Sequence, residues 1–268
     1  MEKFFQLATL EGFYIILRPG PYISSGVDNG GIPYWLAKKY PDIKLRSSDR
    51  NFLNELQKWF SILLPIVRPH LLSNGGKIIL VEVEHEYGAM KICDEDYKTL
   101  VKNLIEENLG KVFLFTTDRP REGEIPCGAI KDVYATTNFG ISDNSEILYY
   151  FVSYLREIQA DGPLMNSQLF TGDLNYWQKL SKYSPVDGVS STALDLLLSF
   201  DNFNIDSFQA GTNFGFFSGA VEENGDFRPL TSTCDINTAL DEIGNAKESY
   251  EAIANALFFV SFKGLDEY

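Results

Sequence analysis

The sequence predicts an α/β fold and, within that class, an incomplete TIM-type (β/α) barrel with about six of eight βα units. Two observations lead to this prediction. Apolar runs of strand length alternate with segments whose apolar residues recur at helical spacing, and polar residues cluster directly after the strands. Such alternation implies parallel strands joined by right-handed crossovers. A doubly wound sheet is the other arrangement of this class, but no Gly-rich phosphate-binding fingerprint follows the first strand.

The predicted elements follow one another along the chain. A strand at residues 14–17 leads into Arg18-Pro-Gly-Pro-Tyr22, and residues 51–67 carry apolar side chains at helical spacing. Because we find neither an internal repeat nor a flexible linker, one domain over residues 1–268 is the simplest interpretation. The other predicted strands are 77–84, 111–116, 132–136, 162–166 and 202–208, and the other predicted helices are 94–108, near 144–159 and near 190–200.

Composition excludes several classes of partner. A formal net charge of −14 argues against nucleic acid, because binding phosphates needs a clustered positive field. No run of 18 apolar residues occurs, so no membrane span is expected. Three cysteines without a C-x-x-C pair, together with two histidines, predict no metal site and no cofactor. The N-terminus forms an amphipathic pattern rather than a basic region followed by an apolar run, so no signal peptide is expected.

Three carboxylates fall at the end of the second predicted strand, in Val81-Glu-Val-Glu-His-Glu86. Strand alternation puts Glu82, Glu84 and Glu86 on one face. Like charges this close raise one another's pKa unless a cation intervenes, and Arg18 at the end of the preceding strand is the obvious cation. The alternative is a solvated edge strand with harmless glutamates. The apolar residues that flank the carboxylates favour burial, and therefore an ion-pair or functional role.

Six segments in this order carry a family resemblance. Together they resemble successive strand-end motifs of family 35 of the glycoside hydrolases, the β-galactosidase family, over about residues 1–260. The segments are Leu17-Arg-Pro-Gly-Pro-Tyr-Ile23, Asn29-Gly-Gly-Ile-Pro-Tyr-Trp-Leu36, Glu84-His-Glu-Tyr-Gly88, Phe115-Thr-Thr-Asp118, Pro163-Leu-Met-Asn-Ser-Gln-Leu-Phe-Thr-Gly172 and Gly211-Thr-Asn-Phe214.

The resemblance implies two catalytic positions. Retaining glycosidases need two carboxyl groups about 5–5.5 Å apart, one as acid/base and one as nucleophile. The family's acid/base falls on Glu86, whereas its nucleophilic glutamate falls on Gln168. A glutamine side chain is neutral and poorly nucleophilic, so the glycosyl-enzyme intermediate is not expected to form at a useful rate.

Four further positions that contact sugar in the family are also substituted. They are Gly26 in place of an acidic residue, His85 in place of an asparagine, and Asp206 and Ile236 in place of tyrosines. A glutamine engineered to trap substrate is one explanation for Gln168, but one engineered change does not alter five positions. Natural decay of the galactose site is therefore the better explanation.

Other roles for residues near these positions stay open. Asp206 and Asp173, paired with Glu86, are candidates for an inverting pair at wider separation, although loop aspartates are usually solvated or capping residues. His85 is more often a hydrogen-bonded packing residue than a base. Trp177 lies nine residues past Gln168, and its role is undecided between the core and sugar stacking.

Cys93 and Cys127 match two positions that are disulfide-bonded in the lysosomal member of the family, and the resemblance predicts this bridge. A disulfide implies passage through an oxidising compartment, in line with the lysosomal or secreted location of the family. The alternative is two buried free thiols, which is the state expected for Cys234.

The family also carries two βα units before the first motif and β-sandwich domains after the barrel, neither of which is recognisable here. A six-stranded barrel leaves open edges, so the resemblance implies either that the chain is a fragment of a longer protein or that other protein chains cover the edges as partners, with β-galactoside glycans as further ligands. The predicted function is a pseudoenzyme that serves as a scaffold or interaction subunit. The alternative is an active retaining β-galactosidase that hydrolyses terminal β-galactose with Glu86 as acid/base.

Overall fold

The computed structural model describes residues 1–24, 26–141, 146–172, 175–177, 186–213, 215, 217–223, 225–233 and 237–263. The chain divides into two compact units, which are described in turn. The first unit comprises Met1–Ser25, Asn29–Asp118 and Gly123–Ala135, and the second comprises Gly26–Asp28, Arg119–Glu122 and Thr136–Tyr268.

Three parallel strands and their helices build the first unit. β1 pairs with β2 and β2 pairs with β3, both in parallel register. The core forms where α3 and α4 pack together and α4 packs against β2, most of whose residues are buried. The elements are α1 (Glu2–Leu10), β1 (Ile15–Leu17), α2 (Trp35–Lys39), α3 (Arg50–Val67), β2 (Ile78–His85), α4 (Glu95–Leu109), β3 (Leu114–Asp118) and α5 (Glu124–Gly128).

Helix α3 shows how the sequence specifies these elements. The side chain of Asp49 accepts hydrogen bonds from the backbone N–H groups of Asn51 and Phe52, which satisfies two donors at the start of the helix. Phe52, Leu56, Phe60, Leu63 and Val67 are buried, at the spacing of one helical face. The helix predicted at residues 51–67 is therefore confirmed to within one residue.

The second unit repeats the pattern. β4 pairs with β5 and β5 with β6, again in parallel. Helices α7 and α8 pack against each other, and β7 and β8 form an antiparallel hairpin. The elements are β4 (Tyr134–Gly140, of which Thr136 onward belongs to this unit), α6 (Glu146–Ile158), β5 (Met165–Phe170), α7 (Val186–Ser199), β6 (Asn202–Asp206), β7 (Ala220–Glu223), β8 (Asp226–Pro229) and α8 (Glu248–Lys263).

The predicted βα alternation is thus found in both units, with each of the six predicted parallel strands within a few residues of its expected place. Helix α8 and the β7–β8 hairpin were not predicted, because charged residues break the apolar alternation of the hairpin. No helix in the described part of the chain has the length and apolarity needed to cross a membrane.

Candidate functional site

The end of β2 departs from regular strand geometry. The register with β3 shifts between Glu82 and His85, and Glu86 adopts a left-handed conformation with φ 48°. Regular alternation places residues three apart on opposite faces, yet Nδ1 of His85 lies 3.0 Å from Oε1 of Glu82. The alternation expected for Glu82, Glu84 and Glu86 therefore does not describe the last residues of this strand.

Glu84 is held by a buried network. Arg46 donates from Nη2 to Oε2 at 2.6 Å and from Nε to Oε1 at 3.2 Å. The hydroxyl of Tyr97 donates to Oε1 at 2.6 Å, and the backbone N–H of His85 donates to Oε2 at 2.8 Å. With both carboxylate oxygens bonded in this way, Glu84 acts as a fixed anion of the scaffold.

The network also shifts the pKa values of its members. Burial lowers the pKa of Arg46, but the charge and hydrogen bonds of Glu84 outweigh it, so the pKa is raised overall. Burial, with the Glu84 charge beside it, raises the pKa of Tyr97 well above its ordinary value, and burial raises the pKa of Tyr87 to about 12. Arg46 is the cation of this network, and the sequence interpretation, which considered Arg18, missed it.

Glu82 has a different set of partners. Its Oε1 accepts from the hydroxyl of Thr117 at 2.6 Å and lies 3.8 Å from Nη1 of Arg18. His85 is 2% exposed, its Nδ1 lies 3.3 Å from Nη1 of Arg18, and its ring stacks on Tyr22 with centroids 6.2 Å apart. Among the described residues its Nε2 has no hydrogen-bond partner. His85 is thus a packed, hydrogen-bonded residue of the strand end.

The backbone after β2 fixes the place of Glu86. Its N–H donates to the carbonyl of Thr117 at 2.6 Å, and a 3-10 helix, Tyr87–Met90, follows. The N–H of Gly88 donates to Oδ1 of Asp118 at 2.8 Å. A Cβ at position 88 would lie 1.9 Å from the carbonyl oxygen of Glu124, so the close approach of α5 requires glycine here.

In the second unit, Gln168 lies buried on β5 between two polar neighbours. Nδ2 of Asn138 donates to Oε1 of Gln168 at 3.2 Å, and Nε2 of Gln168 donates to Oδ2 of Asp206 at 2.5 Å. The hydroxyl of Ser207 donates to Oδ1 of Asp206 at 3.1 Å. The structure therefore joins two predicted site residues, Gln168 and Asp206, in one hydrogen-bond chain.

The remaining predicted residues are placed as follows. Gly26 has φ 64°, and its carbonyl accepts from the N–H of Gly219 at 2.9 Å. Trp177 is exposed. Ile236, Asp173 and Cys234 lie outside the described residues. Within the described ranges, no group of three His, Cys, Asp or Glu side chains is placed to hold a metal ion.

The predicted disulfide between Cys93 and Cys127 is confirmed. Beside it, the fully buried Lys98 donates to the carbonyls of Cys127 at 2.6 Å and Ala129 at 2.7 Å. Glu95 supplies a carboxylate 2.7 Å from the same ammonium group. This buried lysine of α4, whose ammonium group meets the carboxyl end of α5, was not predicted, because its partners there are carbonyls that carry no sequence signature.

Parallel βα units with buried carboxylates and amides at the carboxyl ends of their strands define a protein of the TIM-barrel class. Solved structures confirm this fold class. The superposition on an endo-1,4-beta-xylanase of Caldicellulosiruptor owensensis covers 95% of this chain and 81% of the xylanase chain, with a TM-score of 0.53 and 10% sequence identity. The superposition on a GH10 xylanase of Thermobacillus composti covers 95% of this chain and 80% of the xylanase chain, with a TM-score of 0.54 and 11% sequence identity. The fold is an incomplete TIM-type barrel.

Sequence comparison then gives the family: the chain belongs to glycosyl hydrolases family 35, whose model matches residues 1–258. Beta-galactosidases of Bos taurus and Mus musculus are each 39% identical over 258 residues, or 96% of this chain. A beta-galactosidase-1-like protein of Mus musculus is 39% identical over 244 residues, or 91% of this chain. This chain spans 37–39% of the length of these relatives. The predicted membership of a β-galactosidase-like family is confirmed.

Proposed function

We propose that this barrel is a β-galactosidase-like pseudoenzyme that has lost retaining hydrolysis and is kept for binding. The observation that carries the proposal is the hydrogen bonding of Gln168. Its amide oxygen accepts from Asn138 and its amide nitrogen donates to Asp206, inside a buried setting. A nucleophile at this position needs an anionic oxygen, which a neutral amide does not supply.

Asp206 supports a natural origin for Gln168. The carboxylate of Asp206 needs a donor, and the amide of Gln168 supplies one at 2.5 Å. A glutamate at position 168 would put two carboxylates in contact, which raises the pKa of one of them and is unfavourable near neutral pH. The two substitutions therefore fit each other, as expected of a site that changed at several positions together.

The substitutions around Glu86 also support the loss of hydrolysis. In the family an asparagine precedes the acid/base and contacts the sugar, whereas here His85 occupies that place and its Nδ1 faces Glu82 and Arg18. Gly26 has no side chain to offer a ligand. Glu86 itself is retained, so the acid/base position remains without its partner nucleophile.

For the binding role, a protein partner at α1 is the form that the structure favours. Phe4, Leu7 and Leu10 are exposed on one stripe of this helix. Among the described residues, β1 pairs with β2 alone and carries no strand on its other edge. We propose that a βα segment of another chain pairs with this edge of β1 and packs on the apolar stripe of α1.

Hydrolysis of 4-nitrophenyl β-galactoside by the purified chain tests the loss of catalysis. We expect no turnover above buffer, and no covalent adduct in a mass spectrum after incubation with a 2-fluoro galactoside that traps the nucleophile. Gln168→Glu and Gln168→Glu/Asp206→Asn are assayed beside it. Turnover by the unaltered chain makes the proposal wrong. Turnover by Gln168→Glu alone shows that the other substitutions had left the site intact.

Sedimentation of the chain tests the α1 surface. We expect self-association or capture of a βα peptide to weaken in Leu7→Glu/Leu10→Glu, while the exposed Ile62→Glu on α3 serves as the control. Equal behaviour of both variants would argue against a docking role for α1.

A further inference from the structure

A small antiparallel sheet in the second unit presents aromatic side chains to solvent. In the β7–β8 hairpin, Ala220 lies opposite Pro229 and Glu222 lies opposite Phe227. On the other side of this segment, Tyr176 pairs with Leu230, and the N–H of Trp177 donates to the carbonyl of Pro229 at 3.0 Å. The sheet is therefore three strands wide at this point.

The register determines which side chains share a face. Pro229 lies opposite both Ala220 and Trp177, and Phe227 stands two residues before Pro229 on the same strand. Burial agrees with this assignment, since Trp177 is 65% and Phe227 77% exposed, whereas Leu230 on the opposite face is 6% exposed. We call the solvent-facing side the aromatic face; it consists of Trp177, Ala220, Glu222, Phe227 and Pro229.

The geometry of the aromatic face suits a flat ligand. Trp177 and Phe227 are diagonal neighbours, a relationship that places the two residues about 7–8 Å apart and within reach of one another's rings. Pro229, opposite Trp177 and two residues from Phe227, adds a third apolar side chain. Large aromatic side chains exposed together on a rigid strand pair mark a binding surface more often than a packing fault.

The charge of the aromatic face limits which classes of ligand it can bind. Glu222 is its carboxylate, held in place by the N–H of Gly225, which donates to Oε1 at 2.5 Å. Arg228 lies on the opposite face of the hairpin, so none of the five residues that make up the aromatic face is basic. A carboxylate accepts hydrogen bonds from hydroxyl groups and repels anions.

We propose that the aromatic face binds a neutral oligosaccharide of hexopyranose units. The apolar C–H side of a pyranose ring stacks on Trp177 or Phe227, and ring hydroxyls donate to Glu222. This inference is independent of the fate of position 168, because it uses none of the residues of the β5–β6 hydrogen-bond chain.

Tryptophan fluorescence and calorimetry of the purified chain test the aromatic face, with β-1,4-galactotetraose and cellotetraose as probes. We expect saturable binding at roughly millimolar affinity. Trp177→Ala and Phe227→Ala are each expected to weaken it about fivefold or more. Trp59→Ala and Phe113→Ala, which remove side chains that are 50% and 79% exposed in the first unit, are matched controls expected to leave affinity unchanged.

Specific outcomes overturn the inference. Absence of saturable binding to both probes does so, as does binding that the Trp177 and Phe227 variants retain in full. Tighter binding of tetragalacturonate than of the neutral galactotetraose contradicts the role given to Glu222. Self-association that disappears in Trp177→Ala assigns the surface to a protein contact instead.

Discussion

The amide nitrogen of Gln168 donates to Oδ2 of Asp206 at 2.5 Å, while the amide oxygen accepts from Asn138 at 3.2 Å. Position 168 therefore requires one donor and one acceptor on the same side chain. An ionised glutamate offers acceptors alone. The glutamine that replaces the nucleophile thus supplies both hydrogen bonds that its neighbours Asn138 and Asp206 make with it.

Gln168→Glu is expected to lower the free energy of unfolding by roughly 1–3 kcal/mol near neutral pH, because it removes the donor to Asp206 and sets two carboxylates against each other. Urea denaturation measures the loss. Asp206→Asn should restore most of it, because an asparagine amide donates to the new carboxylate, and a double-mutant cycle gives the coupling energy. Gln57→Glu at an exposed site is the control. An equal loss in the Asp206→Asn background would contradict the pairing.

Glu84→Gln is expected to cost about 3–5 kcal/mol of folding free energy, because it leaves the buried Arg46 guanidinium without its anion. Thermal or urea unfolding measures this cost. Glu55 gives the comparison, since Glu55→Gln removes the ion pairs with the exposed Lys39 and Lys58 and should change stability far less. Similar effects of the two substitutions would show that Arg46 finds another partner or becomes solvated.

Local sequence information explains why the βα framework was predictable. Helix α3 has its apolar stripe and its capping Asp49 within the segment itself, and β2 begins with four consecutive apolar residues. The positions of Glu86, Gln168 and the Cys93–Cys127 pair came from the family resemblance. In all these cases the signal lies in short stretches of sequence.

The missed features depend on contacts that are distant in sequence or on local irregularity. Arg46 lies in a loop 38 residues before Glu84, and nothing nearby marks it as a partner. The bulge at Glu82–His85 breaks the alternation from which the common face of the three glutamates was inferred. The aromatic face depends on the backbone pairing of Trp177 with Pro229, which no local sequence pattern predicts.

Removal of the disulfide by Cys93→Ser/Cys127→Ser is expected to lower stability by about 3–4 kcal/mol, from the chain entropy released by opening a loop with a separation of 34 residues. Unfolding of the unaltered chain with and without dithiothreitol gives an independent measure. Cys234→Ser controls for removal of a cysteine outside the pair. Unchanged stability in the double variant would indicate that the loop holding α4 and β3 stays ordered in the unfolded chain.

Asp118→Asn is expected to make the protein more stable than the unaltered chain at higher pH, because burial raises the pKa of Asp118 well above its ordinary value. In the unaltered protein the folded state keeps this proton after the unfolded chain has released it, so folding stability falls with rising pH from about pH 4 up to the folded pKa. Within that pH range the free energy of unfolding of the unaltered protein falls by up to about 1.4 kcal/mol per pH unit.

Asparagine has no proton to lose, and its oxygen accepts from the N–H of Gly88 as the carboxyl oxygen does. Urea unfolding from pH 4 to pH 8 should show the variant and the unaltered chain converging at low pH and separating above it. Asp42→Asn, at an exposed site, should leave the dependence of stability on pH unchanged. A variant less stable than the unaltered chain at every pH would mean that Asp118 is ionised in the folded protein and is stabilised by the Arg46 and Lys98 charges.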